Sequence, residues 1–469
     1  MSIGQKNIQG LWLKALVFAL VGYALLGKGF AYLFLGEMIL VVGLFVFLQS
    51  QRIMLVFSDS VLLLWGVFAF WGVCRTVPFL SKYGFDAVRD AVTWGYGLFA
   101  LLIVAFINNG TQISRALNTY HKFLRWYLPV LPVVVVLSTV LRDKQPTLPW
   151  GTEIPIVMVR PGEAAVHLAA AALFLLIFPL RRKVSEAMQI SIPGTIGVAG
   201  WLLSAFFVLL WSRAGLVALL IPMIVASGIE TRKIGRKLAA VATVGLLLGM
   251  LALEANPFTI HMKGMNVTPE NVRKLVSSIA SGDAGPGHEG TKEFRLVWWS
   301  HIVDYTVFGP YRWTGKGFGV NLALSDGPPG ITQEESELRS PHNGNMTVLA
   351  RMGVPGLVIW AALNVAFVFR LFNAYLRTRR ARSRFWSGVN LWILGYWLAA
   401  FINMSFDVYL EGPQGGIWFW SIIGLGVAAL RVQAFEARSQ SPKSVENGAA
   451  DSQMRPQIRL EAIAHGQLQ

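Results

Sequence analysis

Apolar runs recur along the whole chain, each close to the roughly 20 residues that a helix needs to cross a bilayer. They fall near residues 11–26, 30–48, 54–73, 93–107, 124–141, 163–180, 196–211, 214–229, 238–254, 354–372, 390–406 and 417–430. None alternates apolar with polar positions, which argues against a membrane β-barrel. Backbone groups in hydrocarbon must be paired within their own segment, so the runs predict helices. The pattern predicts an all-α, polytopic membrane protein with about twelve transmembrane helices. A membrane domain would cover residues 1–431. One late polar stretch, residues 255–344, is expected to form a large outer loop containing short helices. The tail, residues 432–469, is rich in Ser, Gln, Glu and Arg and is expected to be disordered in the cytoplasm. The first run lacks a small-residue cleavage site and is expected to stay as an uncleaved span.

Composition supports this class. Only 14% of the 469 residues are charged and 54% are hydrophobic, against about a quarter charged in a soluble domain. The net charge of +16 is largely topological. With the N-terminus inside, Arg181 to Lys183, Arg232 to Lys237 and Arg377 to Arg384 fall in cytoplasmic loops, while the acidic stretch Asp407 to Glu411 falls outside. No nucleic-acid partner is needed to explain the basic balance. The outer side still carries cations, among them Arg89, Arg160, Arg213, Arg295, Arg312 and Lys316. Either an anionic ligand or lipid headgroups would account for them. Cys74 is the single cysteine, and no His, Cys or carboxylate spacing suggests a metal.

Arg213 sits between two apolar runs with almost no loop around it. Such an arginine either snorkels to the interface or faces a cavity. In a cavity its guanidinium suits a phosphate or pyrophosphate. Within the loop, Phe294, Trp298, Ile302 and Tyr305 recur every three or four residues and predict an amphipathic helix on the membrane face, carrying Arg295. Gly315-Lys316-Gly317-Phe318-Gly319 reads as a flexible turn and lacks the pattern of a nucleotide loop. His342 follows Pro341 directly before a helix. An imidazole titrating near neutral pH can take a proton from a hydroxyl, and Asn343 would orient it or a sugar. The plainer alternative is a surface histidine capping a helix. His261, His288 and His301 lie in the same loop.

His342-Asn343, nine residues, then Gly353-Val354-Pro355-Gly356 resembles the motif of the O-antigen ligase and polymerase superfamily. Arg295-Leu296-Val297-Trp298 through Gly315 and Gly317 resembles that family's loop helix and glycine turn, and Ser212-Arg213-Ala214-Gly215 its arginine-bearing separator. The resemblance implies glycosyl transfer without metal or cofactor on the periplasmic side of a bacterial inner membrane. The implied donor is a glycan on undecaprenyl pyrophosphate. The implied acceptor in a ligase is a hydroxyl of a lipid A core sugar. Arg213 and Arg295 would bind the pyrophosphate, and His342 would activate or position the acceptor. Asn343, Arg89, Arg312 and Lys316 complete the expected substrate contacts, with membrane lipids around them. Ligase and polymerase share these residues. An anion transporter is disfavoured, because the polar chemistry sits at the outer boundary and no repeated halves are visible.

Overall fold

The computed structural model describes residues 3–50, 53–149, 153–178, 194–230, 289–327 and 339–439, with short pieces between 236 and 267. Every apolar run within them folds as helix; the run at 238–254 lies outside the described residues. In chain order the longer helices are α1 (Ile3–Leu26), α2 (Leu35–Gln49), α3 (Ser60–Tyr83), α4 (Phe85–Gly95), α5 (Gly97–Phe106), α6 (Gly110–Thr139), α7 (Pro161–Ile177), α8 (Thr195–Trp211), α9 (Arg213–Ile229), α10 (Glu289–Thr306), α11 (Gly344–Arg380), α12 (Arg384–Met404) and α13 (Pro413–Ser439). Ile260–Met262 and Met265–Val267 pair as a small antiparallel hairpin, a departure from a purely helical chain.

The helical spans make this a plausible multi-pass membrane protein. Among the described residues, α1, α3, α6, α11, α12 and α13 are long and apolar enough to cross a bilayer, and α4 with α5 gives a seventh crossing bent by 47°. Among the described residues the expected count of about twelve is thus met by six or seven long spans, with α2, α7, α8 and α9 as shorter apolar helices. Length is the physical reason. Seventeen residues rise only about 25 Å, short of the ~30 Å hydrocarbon core. The short α7 lies against α8, α9 and α12 and is buried on nearly all sides. Its run Ala169-Ala170-Ala171 is fully buried, because small residues let neighbouring backbones approach closely. The last helix continues past residue 431 to Ser439, so the first part of the expected tail is helical. Residues 440–469 lie outside the described residues.

The feature that positions the site is a break inside α11. Gly353 adopts φ 69° and ψ −171°, outside helical values. Pro355 has no N–H, so the Arg351 carbonyl loses its helical donor. The loop supplies replacements. Lys316 N donates to Ala350 O at 2.7 Å, Gly317 N to Arg351 O at 3.0 Å, and Val354 N to Arg312 O at 2.8 Å. Trp71 Nε1 donates to Met352 O at 2.9 Å. The 315–319 segment is thus pinned to α11 and is not the flexible turn expected. A second anchor holds it from the side. Arg351, 2% exposed, pairs with Asp90 at 3.0 Å and donates to the carbonyls of Gly317 and Val320. Arg339 joins the same carboxylate at 3.2 Å.

A Cβ at Gly353 would stand 2.6 Å from the Arg312 carbonyl. Gly353→Ala is expected to lose about 1–3 kcal/mol. Gly95→Ala, where a Cβ meets nothing within 4 Å, is expected to be tolerated. Thermal unfolding of the two variants in detergent checks both.

Candidate active site

The turn between α12 and α13 collects side chains from three other parts of the chain. Arg295, on α10, donates through Nη1 to Phe406 O at 2.9 Å. Arg160, which precedes α7, donates to Asp407 Oδ1 at 3.1 Å and to Val408 O at 2.9 Å. Asn345, at the start of α11, donates to Ser405 Oγ at 3.1 Å. His342 brings Nδ1 to 3.5 Å from Asp407 Oδ1, too long for a full hydrogen bond. That nitrogen is sealed from solvent and has no closer acceptor, while the side chain as a whole keeps 21% exposure.

Local sequence explains why these groups meet. Asn343 caps α11, its Oδ1 accepting from Asn345 N at 2.9 Å and Met346 N at 3.2 Å. The chain entering that cap is forced into the left-handed region at His342, φ 53°, a conformation that costs a non-glycine residue roughly 1–3 kcal/mol. Trp299 Nε1 holds the preceding Pro341 carbonyl at 2.8 Å. Thr347 Oγ1 ties α11 to Glu411 at 2.6 Å. The loop helix α10 is therefore docked on protein. Trp298 and Ile302 are fully buried against Leu349 and Ala350, which corrects the expectation that this helix lies on the membrane face.

Charge in this cluster is unevenly spent. Burial would raise the pKa of Asp407, but neighbouring His342 and Arg160 outweigh it and hold the carboxyl below its ordinary value. Burial pulls the pKa of Arg295 down, and the charge of Asp407 opposes it. Arg160 already carries Asp407 as its ion-pair partner. Arg295 meets only a carbonyl, with no carboxylate in ion-pair reach among the described residues. A guanidinium in that state is open to an anion.

The other residues expected at the site divide. The Arg213 side chain lies outside the described residues. Its backbone opens α9, capped by Ser212 Oγ accepting from Gly215 N at 2.9 Å. The far end of α9, Ile229, receives bonds from Tyr375 and Arg379 near the end of α11. Arg213 thus begins its helix at the end of the bundle where α11 starts, the end that holds His342. Arg89 is paired with Asp86 at 3.1 Å and Asp90 at 3.4 Å. Lys316 is paired with Asp326 at 2.6 Å and sits over the Tyr305 ring at 4.3 Å. Trp298 and Tyr305 also donate to Asp326. Arg312 is exposed and stacks on Trp313. Asn343 spends its side-chain oxygen on the cap. Asp407, Arg339 and Arg351 had no place in the expected set. The signals for Asp407 and Arg351 were charges at the edge of an apolar run and inside the motif.

Residues 198–361 match the family model described as O-antigen ligase. The O-antigen ligase match starts within α8, takes in Arg213, Arg295, His342 and Gly353, and stops within α11. Arg160 and Asp407 lie outside it. No curated protein matches the chain. Proteins with an O-antigen ligase domain are glycosyltransferase-type ligases or polymerases acting on lipid-linked polysaccharide.

Because the Asp407 pKa is depressed in the folded protein, its ion pair contributes fully above the ordinary carboxylate range. The contribution is lost as pH falls through that range toward the lowered folded value. Asp407→Asn is expected to lower thermal stability at neutral pH and to flatten its decline on acidification, as measured by melting curves across that range.

Proposed function

We propose that the chain is an O-antigen ligase-type glycosyltransferase, moving a glycan from undecaprenyl pyrophosphate to an acceptor hydroxyl such as one on a lipid A core sugar. One observation carries this reading. Arg295, a guanidinium with no carboxylate in reach among the described residues, meets the same turn as an imidazole, His342, whose buried nitrogen faces a carboxylate.

The chemistry follows from those roles. The acceptor oxygen attacks the anomeric carbon of the donor as the bond to pyrophosphate breaks. His342 takes the acceptor proton through its second ring nitrogen, and Asp407 stabilises the imidazolium that forms, as the carboxylate does in a hydrolase triad. Negative charge grows on the departing pyrophosphate. Arg295, with Arg213 from the same end of the bundle, takes up that charge in place of a metal. Donors aimed at developing charge are worth about 3 kcal/mol each. In this reading Arg160 holds Asp407 ionised, and the end of the bundle carrying the cluster faces the periplasm. The enzyme sits in the bacterial inner membrane.

Transfer assays with reconstituted protein and a defined undecaprenyl-pyrophosphate donor test the roles. His342→Ala is expected to lower the rate by roughly a hundred- to ten-thousand-fold, and Arg295→Ala by roughly a hundred- to a thousand-fold. Full activity in correctly inserted variants would refute these assignments. Lipid analysis of a deletion strain separates ligase from polymerase. Long polymer left on the carrier supports the ligase, and accumulation of single repeat units overturns it.

A further inference from the structure

A cavity lies away from the His342 cluster, between α1, α5, α6, α12 and α13, with a volume of about 630 Å³. Gly110, which starts α6, packs beside Glu436 of α13 and Trp386 of α12. The α6 end of the cavity, with Gln112 and Arg115, therefore lies toward the end of the bundle opposite the turn that gathers Arg295 and Asp407, while Trp418 near the start of α13 lines its other end. Its two walls differ in kind. The wall from α1, α12 and α13 is mainly apolar, including Leu16, Leu20, Trp392 and Trp418. The α6 wall is a polar stripe. Arg115, Asn118, Thr119 and Lys122 recur at the three- and four-residue spacing that keeps them on one helix face.

The charge on these walls has one sign. Arg115, Lys122 and Lys14 are exposed side chains among the lining residues, and no Asp or Glu lines the cavity. None of the three has an ion-pair partner among the described residues. Lys14 stands inside an apolar run, where a cation is costly without an anion beside it. Three further lining groups lack partners. Tyr120 OH, Ser421 Oγ and the Asn118 side-chain oxygen are buried without a hydrogen bond, and Tyr120 and Ser421 are each more than nine-tenths buried. A buried hydroxyl left unbonded costs about 1–3 kcal/mol in general, so the site is built for something with acceptors.

We propose that this cavity is a specific site for one anionic phospholipid of the leaflet opposite the His342 cluster. An acyl chain lies along the apolar wall, the ester oxygens meet the hydroxyls of Tyr120 and Ser421, and the phosphate meets Lys14, Arg115 and Lys122. The volume is within the range of ordinary ligand pockets and suits part of one acyl chain with its headgroup. The site does not depend on the transferase reading.

Native mass spectrometry of the full-length protein from detergent is the direct test, with phosphatidylglycerol, phosphatidylcholine and undecaprenyl phosphate added separately. One phosphatidylglycerol per chain is expected to be retained, with phosphatidylcholine retained far less. The double variant Arg115→Gln with Lys122→Gln is expected to weaken phosphatidylglycerol retention on the order of thirtyfold, given the typical attraction of two cations for anionic lipid. Ala116→Phe fills the cavity without changing charge and is expected to abolish the bound lipid, so the test survives a misfolded double variant. Equal retention of the two phospholipids, preferential retention of undecaprenyl phosphate, or unchanged binding in Ala116→Phe would each overturn the proposal.

Discussion

Three consecutive carbonyls, on Ala350, Arg351 and Met352, leave the hydrogen-bond ladder of α11 and are recovered by groups from elsewhere. An unsatisfied carbonyl in a low-dielectric interior is expensive, so a break here is stable only while the loop stays docked. That makes Gly353 and Pro355 structural instruments. They open the helix so that the segment around Gly317 can take the place of the missing turn. Docking that segment sets where α10 packs, and α10 carries Arg295 to the turn at Phe406. The chain of cause runs from a missing N–H to the position of a guanidinium.

Asp407 organises the other half of the cluster by charge. It neutralises Arg160 and stands beside His342, so among the described residues Arg295 is left there without a carboxylate. A carboxylate that fixed Arg295 instead would leave no guanidinium at that turn open to an anion. The same logic explains why Lys316 and Arg89 are poorer candidates for substrate contact. Asp326 holds the first, and Asp86 with Asp90 holds the second, so each cation serves the fold around it.

Helix positions were legible in the sequence because apolar runs are long and uninterrupted. Of the twelve expected crossings, six or seven are long and apolar enough among the described residues and four more are shorter apolar helices, because an apolar run says little about where its helix starts and stops. The motif and the helical spacing drew attention to His342 and Arg295, and the match over residues 198–361 spans both. Asp407 showed only as a charge at the edge of an apolar run, since its place depends on the end of α12 meeting the start of α11, a contact no local pattern encodes. The pairing of Arg89 with Asp86 was visible as a three-residue spacing and shows that local charge pairs should be subtracted before cations are assigned to a ligand. The docking of α10 was missed for a related reason. An amphipathic stripe looks the same whether its partner is a membrane or another helix.

Encasing α7 in its neighbours has a mechanical consequence. A helix wholly wrapped in protein does not feel the thickness of the surrounding lipid. Stretching or thinning of the bilayer acts first on the peripheral helices such as α2 and α3, whose outer faces carry exposed apolar side chains.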